Sequence, residues 1–205
     1  SYEKKTHVIP IGIDLNAYPA INKLNISDNL KSIGEGYFLY LGVLRYYKGL
    51  HSLIDAASLV DFPIVIAGSG PMESELKIRV KKEKIENIHF IGFVSEEEKV
   101  YLLDKCYAFV FPSHLRSEAF GISLLEAAMY GKPMISCEIE TGTTYININN
   151  WTGITVPPSD PVSLSNAMNY MWENSKAVVQ MGINAKKRYY ELFTAESMVK
   201  SYTLL

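Results

Sequence analysis

A strand, a polar loop and a helix follow one another at residues 107–133, and this order constrains the fold more than any other feature. Residues 107–112 form an apolar run ending in a proline, which is typical of a buried strand. After Gly121, apolar residues recur at spacings of three and four, which predicts a helix that ends at Gly131 and Pro133. In open parallel sheets, ligands bind where strands end and helices begin, and the first-turn N–H groups attract phosphate.

The rest of the chain repeats this alternation of strand and helix patterns. Strands are predicted at residues 7–13, 37–43, 62–67, 87–91, 107–111 and 133–137, and a polar loop is predicted at residues 15–36. Helices are predicted after Gly49, Gly70, Ser95, Gly121 and Asp160, with a break near Thr194. Strands that alternate with helices predict an α/β fold with a doubly wound, Rossmann-like parallel sheet.

Composition excludes several classes of protein. The net charge of −2 argues against a broad nucleic-acid-binding surface. The two cysteines are too few for a disulfide framework, and the four histidines show no metal-ligand spacing. No apolar run approaches the roughly 18 residues that span a bilayer, so we expect a cytoplasmic chain with at most peripheral contact to the inner membrane face.

Two glutamates frame the central turn with seven residues between them. Glu118 lies in the loop, and Glu126 lies in the predicted helix between Leu125 and Ala127. An isolated glutamate is usually solvated, but an unpaired carboxylate in an apolar setting is costly. Glu126 is therefore expected to accept hydrogen bonds from hydroxyl groups, such as those of a ribose or another sugar.

This pattern resembles the Glu-x7-Glu signature of the retaining nucleotide-sugar glycosyltransferases of family 4 (group 1), which have the two-domain GT-B architecture. The resemblance covers nearly the whole chain. Its matches are Ile9-Pro10 with Gly12-Ile13-Asp14, Phe111-Pro112-Ser113, Glu118-Ala119-Phe120-Gly121, Glu126-Ala127 and Gly131-Lys132-Pro133. Residues 152–161 also match, through Thr152-Gly153, Val156-Pro157-Pro158 and Asp160-Pro161.

The resemblance implies roles for individual residues. Lys48, Arg45 and the helix start at Gly121 and Ile122 would hold a leaving diphosphate, Glu118 would touch the sugar hydroxyls, and Glu126 the ribose. We assign catalysis to Glu118, Lys48 and Arg45, and donor binding to Gly42, Phe93, Val94, Phe120, Gly121, Ile122 and Glu126. The family's usual arginine is replaced by Val43, and Arg45 stands two positions later. Spacing alone favours Arg45 and Lys48 as solvated loop cations, and it allows Phe93 and Val94 as packing residues at the rim.

The family also implies a domain organisation and partners. Residues 1–205 would form one donor-binding domain, a half of a GT-B fold, whose last helix (about 195–205) packs toward a missing amino-terminal domain. That domain would bring a glycan or lipid-linked acceptor, so this chain alone would be an inactive part of a hexosyltransferase of bacterial surface polysaccharide synthesis. No cofactor or metal is expected, because the chain has no Asp-x-Asp motif. These motifs specify neither the base and sugar of the donor nor the acceptor and linkage.

Three other functions compete with this one. A dinucleotide-dependent dehydrogenase would need G-x-G-x-x-G after the first strand, and Gly68-x-Gly70 continues to Glu73 instead. A glycosidase would need two carboxyl groups about 5 to 9.5 Å apart, a distance that the sequence does not give. That function also provides no reason for a helix start that binds phosphate. A non-catalytic nucleotide-sugar binding or scaffold module is the third. The presence of both glutamates and Lys48 argues against it, whereas Val43 leaves it open.

Overall fold

Six parallel strands form the centre of the computed structural model, which describes residues 6–204. The strands are β1 (Phe38–Leu41), β2 (Ile64–Ala67), β3 (Ile88–Gly92), β4 (Ala108–Phe111), β5 (Met134–Cys137) and β6 (Gly153–Val156). Their spatial order is β3-β2-β1-β4-β5-β6. The predicted α/β class with a doubly wound parallel sheet is confirmed.

Helices connect the strands and cover both faces of the sheet. They are α1 (Asp28–Lys31), α2 (Leu50–Ala57), α3 (Glu73–Glu83), α4 (Glu96–Lys105), α5 (Ile122–Met129), α6 (Gly142–Ile146), α7 (Pro161–Glu173), α8 (Ser175–Leu192) and α9 (Ala195–Thr203). Short 3-10 turns lie at Leu15–Ala17, Ile21–Lys23 and Tyr46–Lys48. Within residues 6–204, no helix has both the length and the apolar character that crossing a bilayer requires.

Strands β1, β2 and β4 are buried on both faces, which explains their uninterrupted apolar sequence. Phe38 and Tyr40 of β1 belong to the core layer shared with α2, α3 and α7. Leu39 and Leu41 point to the opposite layer, which α4 and α5 cover. Side chains that alternate along β1 thus join two hydrophobic layers, and burial of this apolar surface is the main favourable contribution to folding.

Strand β1 occupies the switch point of the sheet. It pairs with β2 on one side and with β4 on the other. From β1 the chain continues toward one edge of the sheet, and from β4 it continues toward the opposite edge. A crevice therefore opens at the carboxyl ends of β1 and β4, where ligands bind in sheets of this order. The loops that follow Leu41 and Phe111 border it.

Several helix ends follow the chemistry of their residues. Ser95 and Glu98 form a capping box at the start of α4. Asp160 accepts a hydrogen bond from the Ser163 N–H at the start of α7, where proline occupies the first turn. The Lys132 ammonium donates to the carbonyl oxygens of Asp104 and Cys106, and so caps the carboxyl end of α4.

The structure corrects the predictions for the amino-terminal part. The strand predicted at residues 7–13 is absent among the described residues, where only Ile13 forms an isolated bridge, to Thr194. Pro10 lacks an N–H, and Val8 is 87% exposed, so this segment has neither a strand partner nor a buried side chain there. The loop predicted at 15–36 contains two 3-10 turns and α1, whose Leu30 is buried.

Two further differences lie near the carboxyl end. Strand β6 was not among the predicted strands, and α7 and α8 are separate helices that meet at Asn174. The break near Thr194 is confirmed, since Thr194 caps α9. Residues 1–5 and 205 of the expected single domain and last helix lie outside the described residues.

Candidate functional site

The loop after β1 brings Lys48 to the end of β4. Gly49 has φ +70°, in the left-handed region that glycine enters at little cost, and a Cβ there would overlap the Pro112 carbonyl oxygen. The His114 N–H also donates to the Tyr47 carbonyl oxygen at 3.0 Å. This close contact between the two loops directs Lys48 toward the end of β4.

Lys48 and Glu118 form a buried ion pair at the crevice. Their side chains are each 11% exposed, and the Lys48 ammonium donates to Glu118 Oε2. The Ser113 hydroxyl donates to the same oxygen at 3.0 Å. The ammonium also lies 5.0 Å from the centre of the Phe111 ring, within the range of a cation–π interaction. Two residues that the sequence assigned to different parts of a donor are therefore partners of each other.

The amino end of α5 lies beside this pair. Gly121, the N-cap residue of α5, has φ +90°. A Cβ at this residue would lie 3.1 Å from the Phe111 ring, so the close packing of this ring favours glycine. A cavity of about 390 Å³ opens here, which we call the α5 cleft. Its lining consists of Ile11, Lys48, and residues 117–123. A buried cation and the first-turn N–H groups of a helix thus border one space, which is a chemistry suited to an anion.

Glu126 lies further along α5 and is 5% exposed. Its Oε1 accepts hydrogen bonds from the Tyr18 hydroxyl at 2.9 Å and from the Lys99 ammonium at 2.8 Å. Burial first, and then the charge of Glu126, raise the pKa of Tyr18. Burial lowers the pKa of Lys99, but the hydrogen bonds to Glu126 and Glu96 outweigh it and the net shift is upward. The protein itself therefore provides both an ammonium and a hydroxyl donor to Glu126.

A second cavity, of about 310 Å³, lies at the carboxyl ends of β1 and β2, and we call it the β1–β2 cleft. It is lined by Leu41, Gly42, Val43, residues 67–69, Phe93, Val94 and Lys99. Phe93 is 81% exposed and stands at the rim. The lining is mainly apolar.

The structure divides the predicted residues among these places. The α5 cleft contains Lys48, Glu118, Phe120, Gly121 and Ile122, and the β1–β2 cleft contains Gly42, Phe93 and Val94. Arg45 is exposed and lines neither cleft, so the structure does not bring it to the Lys48–Glu118 pair.

Sequence reasoning missed three residues that the site uses. Ser113 had a signal, because it belongs to the Phe-Pro-Ser motif, but it received no role. Lys99 lies four residues after the predicted cap Ser95, and residues four apart lie on the same face of a helix. Tyr18 lies in a segment predicted to be a loop and carried no signal.

A cluster of aromatic rings supports the Lys48 loop from outside. Tyr46, His51 and His114 have ring centres 4.8 to 5.4 Å apart. The His114 Nδ1 is buried without a hydrogen-bond partner among the described residues. Burial lowers the pKa of both histidines. Among residues 6–204, no group of three or more His, Cys, Asp or Glu side chains is arranged to hold a metal ion.

A larger cavity, of about 570 Å³, lies at the other edge of the sheet, between residues 57–63 and 83–89. Asn87 lies in its lining, and its amide N–H₂ donates to main-chain carbonyl oxygens. This space is at the amino ends of β2 and β3, away from the switch point.

A family model and curated proteins match most of the chain. The family model described as "Glycosyl transferases group 1" matches residues 22–188. The D-rhamnosyltransferase WbpZ of Pseudomonas aeruginosa is 52% identical over 194 residues, which cover 95% of this chain and 51% of that protein. The O-antigen chain mannosyltransferase C of Escherichia coli is 42% identical over 204 residues, which cover 100% of this chain and 55% of that protein. The chain thus spans about half the length of these curated relatives.

Solved structures share the fold. The crystal structure of Anabaena HepE in complex with UDP and glucose superposes with a TM-score of 0.81 at 21% identity, covering 98% of this chain and 56% of that one. The carboxyl-terminal domain of a group 1 glycosyltransferase, LpcC of Francisella tularensis, superposes with a TM-score of 0.72 at 22% identity, covering 90% of this chain and 100% of that one. These likenesses confirm the expected fold, a Rossmann-like half of a GT-B fold. With the family model matching most of its length, the chain belongs to the group 1 glycosyltransferases.

Proposed function

We propose that the chain is the donor-binding domain of a retaining glycosyltransferase of family 4, which binds a nucleoside-diphosphate sugar and supports transfer of the sugar to a hydroxyl group. The observation that carries this proposal is the buried Lys48–Glu118 pair in the α5 cleft, next to the amino end of α5. This arrangement suits a ligand with a diphosphate on one side and a sugar on the other.

The diphosphate contacts follow from the number of donors. A lysine ammonium has three N–H donors, and Glu118 takes one of them, so Lys48 keeps donors for phosphate oxygens. The N–H groups at the start of α5, next to Gly121 and Ile122, add donors with a favourable helix dipole. As the bond between the sugar and the diphosphate breaks, these groups stabilise the negative charge on the leaving group.

The remaining contacts assign the other parts of the donor. Glu118 accepts from the sugar hydroxyls, and Glu126 accepts from the ribose. The base enters the β1–β2 cleft, next to Gly42, Phe93 and Val94. Arg45 reaches the diphosphate only if its loop moves, since the structure shows it exposed and outside both clefts.

The wider context follows from the relatives. Because the chain spans about half of them, we propose that an amino-terminal domain presents a glycan or lipid-linked acceptor and that α9 packs toward it. The relatives named for D-rhamnosyl and O-antigen mannosyl transfer support a hexosyltransferase of bacterial surface polysaccharide synthesis. We further propose that the site needs no metal or other cofactor, that the chain alone transfers no sugar, and that it acts in the cytoplasm with at most peripheral membrane contact.

A second function, a non-catalytic nucleotide-sugar binding module, is favoured by one observation. Val43 lines the β1–β2 cleft at the position where the family has an arginine, and Arg45 lies outside. A longer chain that includes the amino-terminal domain decides between the two functions. Transfer by that chain supports the enzyme, whereas donor binding without transfer supports the binding module.

Calorimetric titration with UDP, GDP, ADP and their sugars tests the donor site. We expect one base to be preferred and its affinity to be unchanged by a metal chelator. The informative variants are Glu118→Gln and the double variant Lys48→Met with Glu118→Gln, since removing both charges avoids leaving one of them buried alone. Lys105→Met, on the outer end of α4, is the matched control for loss of a lysine.

The expected result separates the two charges. Glu118→Gln keeps affinity for the bare diphosphate, whereas the double variant loses about ten- to a hundredfold, because charged hydrogen bonds are lost. Absence of binding by the wild-type chain at millimolar nucleotide would overturn the proposal. Equal affinity of the double variant and Glu118→Gln would remove Lys48 from the site.

A further inference from the structure

The Glu126 carboxylate is held by two donors that come from different parts of the chain. Tyr18 belongs to the segment before α1, and Lys99 belongs to α4, yet both donate to the same oxygen, Oε1. Lys99 also lies over the Tyr18 ring, with its ammonium 4.9 Å from the ring centre. The three side chains therefore form one compact group in which each touches the other two.

This group is largely removed from water. The Lys99 side chain is 14% exposed and the Glu126 side chain 7%, while Glu96, the second carboxylate paired with Lys99, is 67% exposed. A buried ion pair is weak evidence for stability, because desolvation offsets much of the attraction. Its presence at this position calls for another explanation than stability alone.

The location of Lys99 supplies that explanation. Lys99 is the one ionisable side chain among the described residues that line the β1–β2 cleft. Through it, the wall of this cleft is joined to a carboxylate on α5, the helix whose amino end borders the α5 cleft. The Lys99–Glu126 pair thus lies between the two spaces that a nucleotide would fill.

Two donors on one carboxylate oxygen fix the orientation of the whole group. An ionised carboxylate has acceptor sites on both oxygens, and the bonds from Tyr18 and Lys99 determine where Glu126 Oε2 points. We propose that Lys99 and Tyr18 are positioning residues, which orient Glu126 so that Oε2 accepts from the ribose hydroxyls of a bound nucleoside diphosphate. The inference rests on the proposed function and assigns to it two residues that act through Glu126.

The test compares ribose with deoxyribose. The probes are the tightest-binding of UDP, GDP and ADP and its 2′-deoxy counterpart, titrated calorimetrically into the 205-residue chain. Wild type is expected to prefer the ribonucleotide by about tenfold or more, because a carboxylate loses a hydroxyl partner in the deoxy compound. Glu126→Ala should bring this ratio close to one.

Lys99→Met should reduce the ratio to about one-third of its wild-type value or less, because the ribonucleotide loses more affinity than the deoxynucleotide. Lys99→Arg, which keeps the charge, should restore most of the ratio, and Tyr18→Phe should lower it to a smaller extent. Lys105→Met is the control on the same helix, since its ammonium pairs with the exposed Glu35, and the ratio should stay at the wild-type value. Thermal unfolding of each variant shows that it is folded.

The outcomes separate this inference from the proposed function. No nucleotide binding by wild type overturns both. A wild-type preference for ribose that Lys99→Met and Tyr18→Phe retain overturns the positioning role and leaves the donor site standing. Equal losses for both nucleotides in Lys99→Met also overturn it, because Lys99 would then contact a part of the ligand other than the ribose. If Lys99→Met does not fold, Tyr18→Phe decides in the same way.

Discussion

Replacing Glu118 by glutamine should destabilise the ligand-free protein. The substitution keeps the size of the side chain and an oxygen for the Ser113 hydroxyl, but it removes the charge that neutralises Lys48. Lys48 is 9% exposed and lies between the end of β4 and its own loop, so water reaches its ammonium only from the α5 cleft. The cost is therefore that of a buried charge without its partner.

The size of the effect follows from the burial of the pair. Removing one member of a buried ion pair costs about 3–5 kcal/mol, and the 11% exposure of each side chain places this pair at about the lower end. For a chain of this length, about 1 kcal/mol shifts Tm by about 2–4 °C. We therefore expect Glu118→Gln to lower Tm by about 6–12 °C.

Thermal and denaturant unfolding measure this difference. Glu140→Gln is the matched control, because it breaks the Arg116–Glu140 pair, whose side chains are 68% and 80% exposed, and such pairs contribute about 0–1 kcal/mol. The double variant of Lys48→Met with Glu118→Gln should recover most of the lost stability. If Glu118→Gln melts within about 2 °C of Glu140→Gln, the Lys48 ammonium is solvated and the argument is wrong.

Three further predictions concern the surroundings of the site. Gly49→Ala should cost at least about 2 kcal/mol in denaturant unfolding, because it adds a clash to the strain of a positive φ, whereas Gly36→Ala, with φ +82° and open space around it, should cost less. Because burial lowers the pKa of His51 and His114 from 6.5, the unfolded state binds more protons below that pH. The free energy of unfolding should therefore fall as pH drops from about 7 to about 5, and less so in His51→Gln. Lys132→Met should lower stability by about 1–3 kcal/mol, since it uncaps α4, and leave nucleotide affinity in calorimetry unchanged.

The sequence was sufficient for the elements whose patterns are local. The apolar run at residues 107–111, the helix after Gly121 and the caps at Ser95 and Asp160 each depend on a few neighbouring residues, and each is confirmed. The strand predicted at 7–13 failed because a strand needs a partner, and the partner of Ile13 lies near the other end of the chain. Pairing over such a distance leaves no trace in local periodicity.

The site shows the same division. The motifs pointed to Lys48, Glu118 and Glu126, but not to what each of them contacts, because the partners are distant in sequence. Lys48 and Glu118 are 70 residues apart. Glu126 is 27 residues from Lys99 and 108 residues from Tyr18. A carboxylate in an apolar stretch predicts that some hydrogen-bond donor must be near. It does not tell whether that donor belongs to a ligand or, as Tyr18 does, to the protein. The roles of all the assigned residues toward a donor remain predictions.

The position of β1 at the switch point has a consequence for how the protein forms. Lys48 and Glu118 are 70 residues apart and meet only after β1 has paired with β4, through Phe38 with Ala108 and Leu39 with Phe109. Closing so long a loop costs entropy before any contact repays it, so pairing of this kind forms slowly. During synthesis the Lys48 side chain therefore stays hydrated until Glu118 has left the ribosome. We expect the Lys48 ammonium to become buried only when the pairing of β1 with β4 has joined the two halves of the sheet.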